Sequence, residues 1–156
     1  YRLCLTRISP PVFSITLPDG WFSYAGSSSN DATSAGFHLV SPDMGFATLQ
    51  VRKKSLLDAE ERQSARAWAE AKIQSLKDRV KSVEVVADVT DAELAGLPGV
   101  RFTAEFETSG TKMVGAPFLA MSDSLAVELG TLATAGQFDQ HRESFLKIMN
   151  SISLED

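Results

Sequence analysis

Hydrophobic and polar positions alternate along several short stretches of this chain and recur at three- and four-residue spacing along two longer ones. Both strands and helices are therefore predicted. Phe13-Ser-Ile-Thr-Leu17 places Phe13, Ile15 and Leu17 on one face and runs into Pro18-Asp19-Gly20, a turn, and then Trp21, which is placed to fold back over the strand end. Gly36 to Val40 and Phe46 to Val51, joined by Ser41-Pro-Asp-Met-Gly45, predict a hairpin. Asp58 with Glu61 has capping-box spacing and predicts the start of the longest helix, whose apolar stripe is Ala65, Trp68, Ala69, Ile73, Leu76 and Val80.

In the second half Val83, Val85, Ala87 and Val89 alternate, and Gly96-Leu-Pro-Gly99 predicts a type II turn. Val100 to Glu107 sets Val100, Phe102, Ala104 and Phe106 against Arg101, Thr103, Glu105 and Glu107, so one face of this sheet is expected to be wet or lightly covered. Lys112 to Met121 and Leu125 to Leu132 complete a meander, with a bulge or edge segment expected at Ala116 and Pro117. Phe138 to Ser151 reads as a helix with Phe138, His141, Phe145, Ile148, Met149 and Ile152 inward, and residues 153–156 as a fraying tail. The order βββ-α-ββββ-α lacks regular alternation of strand and helix. An α+β fold follows, with a mainly antiparallel sheet sandwiched by helices. Residues 1–11 read as an N-terminal extension and 12–156 as a single domain.

Composition narrows the function classes. At 156 residues, 44% hydrophobic and 22% charged, the chain has ordinary globular character. Fifteen basic against twenty acidic residues leave a net charge of −5, so no global field draws it to nucleic acid. Cys4 is the sole cysteine, which excludes an internal disulfide and a multi-thiolate metal site. No apolar run of ~20 residues predicts a transmembrane helix. The opening at Tyr1 in place of methionine fits either a removed leader or a truncated chain; a removed leader implies an extracytoplasmic location, periplasm or cell envelope, which is favoured over the cytoplasm. Tyr1-Arg2-Leu3-Cys4 has only the outline of a lipoprotein cleavage site, because Arg2 and Leu3 stand where small residues are needed.

Catalytic chemistry finds little purchase. His38 and His141 belong to no ligand spacing, the serines at 27 to 29 lie in a small-polar tract with no nucleophile elbow, and no glycine-rich phosphate cradle occurs. No catalytic, metal or cofactor residue is assigned, and no cofactor is expected. Glu105, Glu107 and Glu128 form a candidate polar cluster on neighbouring strands, suited to a cation or to acid/base work. Trp21, Phe22 and Tyr24, with Asn30 and Asp31 in the flexible tract that follows, form a candidate partner-binding surface.

Phe13-Ser-Ile-Thr-Leu-Pro-Asp-Gly-Trp21, the middle helix, Gly96-Leu-Pro-Gly99 before an alternating strand, and Phe145-Leu-Lys-Ile-Met-Asn-Ser-Ile152, in that order, resemble the PsbP/Mog-like superfamily. That group includes the PsbP subunit of photosystem II, the Ran-binding Mog protein, and bacterial DcrB- and LpqN-type domains. The likeness spans residues 12 to 154. It implies a sheet between helices and non-catalytic work: binding protein partners, stabilising assemblies or assisting secretion, in a bacterial chain. The alternative is a small-ligand carrier or an enzyme whose carboxylate or histidine groups converge in a pocket.

Overall fold

The computed structural model describes residues 2–5, 12–24 and 34–155. Strands β1 (Arg2–Leu5), β2 (Val12–Thr16), β3 (Phe22–Tyr24), β4 (Ser34–Val40) and β5 (Phe46–Lys53) precede helix α1 (Ala65–Arg79). Strands β6 (Lys81–Leu94), β7 (Leu97–Thr108), β8 (Thr111–Gly115), β9 (Phe118–Met121) and β10 (Leu125–Thr134) follow, then helix α2 (Phe138–Ser151) and β11 (Ser153–Glu155). The main sheet is antiparallel, in the order β3-β4-β5-β10-β8-β7-β6, with β9 continuing β8 between β10 and β7. A small second sheet has the order β1-β2-β11.

Period-two alternation in the central strands divides the core into two layers. In β10, Val127, Leu129 and Ala133 join Leu39, Ala47, Leu49 and Val51 beneath Phe138, Phe145 and Ile148 of α2. Ala126, on the opposite face, joins Val100, Phe102 and Ala104 around Trp68 and Ala69 of α1. The four residues of β9 are all buried, Leu119 and Met121 in the layer under α1 and Phe118 and Ala120 in the opposite layer.

Four local expectations change. The Asp58 N–H does donate to Glu61 Oε1 at 3.0 Å, but this contact opens a single 3₁₀ turn over Glu61–Gln63. Ser64, extended at φ −166°, caps α1 by accepting from the Ala67 N–H at 2.9 Å, so the helix begins at Ala65. Between β6 and β7 the turn is Ala95-Gly96, with φ of 56° and 77°, and Leu94 pairs with Leu97. That is a two-residue hairpin loop of type I′ in place of a type II turn, and Pro98 and Gly99 lie within β7. At Ala116 and Pro117 the register does not slip: Gly115 faces Leu132 and Phe118 faces Leu129. There is no bulge, and the proline sits inside the sheet, with the Ala116 N–H still donating to the Thr131 carbonyl at 3.0 Å. Finally, Ser153–Glu155 is a strand on β2, fixed in part by the 2.6 Å contact between the Ser14 and Ser153 hydroxyls.

Candidate functional site

Helix α2 packs on β10 and β2. It stops short of β7, whose residues alternate between the two faces of the sheet. The face bearing Val100, Phe102 and Ala104 is covered by α1, so Arg101 and Thr103 look toward the α2 side, where little covers them. A cleft of about 310 Å³ results between α2 and the β6-β7 hairpin. Phe118, Phe138, Phe145 and Leu146 form its apolar walls, and Thr131 and Ala116 lie at the interruption between β8 and β9. The Thr131 hydroxyl donates to the Ala116 carbonyl at 2.7 Å, which satisfies both groups there.

Charge enters at the rim. Arg142 of α2 is engaged: it lies 2.8 Å from Asp139 Oδ1 and its guanidinium stands 5.5 Å from the Phe138 ring centroid. Arg101, directly opposite Phe118 in the β7-β9 register, makes no ion pair among the described residues. Asp88 also lines the cleft, on the stretch of β6 where pairing with β7 slips between Ala87 and Thr90.

The three glutamates do not come together. Glu128 has the parity of Ala126 and lies on the α1 face, whereas Glu105 and Glu107 have the parity of Arg101 and lie on the other. Strand parity, which the linear pattern contains, separates them once β8 and β9 are inserted between β7 and β10. Glu105, half-buried, meets the exposed Lys112 at 3.2 Å across the β7-β8 ladder. Glu128 has a dry Oε1 held by charge, with Lys72 Nζ at 3.0 Å and Arg52 Nη2 at 3.6 Å. The lysine approaches off the hydrogen-bonding line, so this is ion pairing without an aligned bond. Both cations also lie over Trp68, at 5.8 and 6.0 Å from the ring centroid. The group fastens α1 to β5 and β10. It lines a second cleft of about 300 Å³, where its carboxylate is already neutralised.

The proposed aromatic surface also divides. Trp21 is 5% exposed and packs edge-on to Phe145 and His141, with centroids 5.8 and 6.4 Å away, so it belongs to the core and presents no surface. Phe22, 48% exposed, is open on the outermost strand. Tyr24 lies in β3, and Asn30 and Asp31 fall outside the described residues. His141 is buried, its Nε2–H donating to the Asp43 carbonyl at 3.2 Å, and His38 Nδ1 shares a 3.4 Å contact with the Thr48 hydroxyl. The imidazoles therefore serve separate backbone and sheet-face partners. Among the described residues no three His, Cys, Asp or Glu side chains gather to hold a metal ion. Among the described residues no helix is long and apolar enough to cross a membrane.

No protein-family model and no curated protein matches the sequence. Solved structures do match in shape. LpqN, involved in cell envelope biogenesis of Mycobacterium tuberculosis, superimposes with a TM-score of 0.70 at 15% identity, over 100% of this chain and 91% of that one. Cyanobacterial PsbP from Synechocystis sp. PCC 6803 gives 0.62 at 10% identity, over 99% and 91%. A protein of unknown function from Pseudomonas aeruginosa gives 0.57 at 11% identity, over 88% of each. At these identities the likeness is one of fold.

Proposed function

We propose, from a PsbP-like fold with an open phenylalanine-walled cleft, that this chain is a non-catalytic binding domain of a bacterial cell envelope, holding a small apolar group between α2 and β7. The cleft carries the reading. Its volume of about 310 Å³ lies at the small end of the range for ligand sites, and its walls are the apolar, aromatic type that such sites use. The envelope setting is supported by the part LpqN plays in cell envelope biogenesis, carried across on shape alone. Decanol, an uncharged apolar probe, is expected to bind and to shift the amide resonances of Phe118 and Leu146. Leu146→Trp, on the half-open wall, is expected to abolish those shifts with the melting temperature unchanged. Absence of binding to the wild-type chain overturns the reading.

A second reading, that the domain docks a protein partner, is supported by Phe22, a large apolar side chain left open on β3. Photo-cross-linking from position 22 in the native host tests it. A single recurrent cross-linked species, lost on moving the probe to exposed Gln74 of α1, supports the reading, and a diffuse pattern equal at both positions removes it.

A further inference from the structure

The rim of the cleft is not neutral in design. In a chain of net charge −5, two guanidinium groups approach the same apolar recess from opposite walls, Arg101 from β7 and Arg142 from α2. Arg142 is spoken for by Asp139, but Arg101 carries its charge without an ion-pair partner among the described residues. A guanidinium beside a low-dielectric wall presents a planar donor fork that matches a carboxylate or phosphate head. The phenylalanine walls below it offer nothing to a polar tail and much to an apolar one.

We propose that the cleft takes an organic anion with an apolar body, its head on Arg101 and its body against Phe118, Phe138 and Phe145. The inference rests on the cleft being a binding site, as argued above. A medium-chain carboxylate and an alkyl phosphate share this chemistry. Asp88 is the opposing charge in the lining and weakens the attraction, so it also supplies a test of sign. Thr103, next along the same face of β7, gives a hydroxyl within the lining for a second head-group oxygen.

Decanoate and decanol, identical in chain length and different in charge, are titrated against the full chain and followed by amide shifts and calorimetry. Decanoate is expected to bind more tightly. Arg101→Gln is expected to weaken decanoate by about tenfold or more, the effect of losing one charge-assisted contact, while leaving decanol unchanged. Asp88→Asn is expected to tighten decanoate and leave decanol alone. Both residues are exposed, so both variants are expected to keep the wild-type melting temperature. Decyl phosphate run alongside decanoate identifies which head the fork prefers. Equal affinity for decanoate and decanol in wild type and in Arg101→Gln refutes the anionic head and leaves the cleft standing as an apolar site. Failure of every probe to bind refutes the cleft itself.

Discussion

Trp21 shows how a single residue's role turns on which way it faces. Its ring fills the space between Phe145 and His141, and the turn before it is closed by the Trp21 N–H donating to the Pro18 carbonyl at 3.1 Å. Gly20, at φ 82°, supplies the left-handed backbone that aims the ring inward. Trp21→Ala is expected to cost about 3–5 kcal/mol in denaturant unfolding, as for other buried aromatics; a loss below 1 kcal/mol would place the ring outside the core. Below His141 lies Gly45, where a Cβ would come within 2.7 Å of the imidazole Nδ1. The imidazole thus rests on bare backbone on one side and bonds to the Asp43 carbonyl on the other, a packing role that its isolation in the sequence already suggested.

At the scale of elements, the strands were legible because alternation is a direct record of which side chains meet a core. Val100 to Glu107, Phe46 to Val51 and Leu125 to Leu132 all became strands, and Val100, Phe102 and Ala104 are buried on the inward face as expected, with Phe106 half-buried. Boundaries were less legible where two local signals compete. Asp58 and Ser64 both offer helix caps, and Ser64 wins because an alanine-rich run follows it immediately. Ala95 was hidden for another reason: alanine is a poor occupant of φ 56°, so nothing in its side chain announces the turn. Ala95→Asn, which tolerates that backbone, is expected to raise stability by about 0.5–1 kcal/mol in chemical denaturation, and a loss of stability would contradict the type I′ assignment. The cleft was the least legible feature. Arg101 reads in the sequence as one more outward residue of β7, and Phe138 and Phe145 as ordinary stripe positions of α2; only the distance between that helix and that strand makes them neighbours.

For the whole molecule, the small sheet joins segments far apart in sequence. Strand β2 lies between β1 and β11, pairing Arg2 to Leu5 with Phe13 to Thr16 on one edge and Ser153 to Glu155 with Val12 to Ser14 on the other. The Ser151 hydroxyl, accepting from the Thr16 N–H at 3.0 Å, ties the end of α2 to the same strand. Ending the chain at Ile152 is expected to lower stability by on the order of 2 kcal/mol, since a short ladder of backbone bonds is lost, with the melting curve as the measurement; an unchanged curve would make β11 ornamental.

Both flanking strands run antiparallel to β2, and therefore parallel to each other, with Arg2 at the Thr16 end and Glu155 at the Val12 end. Tension applied through the chain on either side of this sheet would load its hydrogen bonds in shear, all at once, and not peel them one by one. Rupture then waits on a single high barrier, which is the quantity that governs forced unfolding. A domain strung between a surface and a load would be clamped at the point where it is pulled.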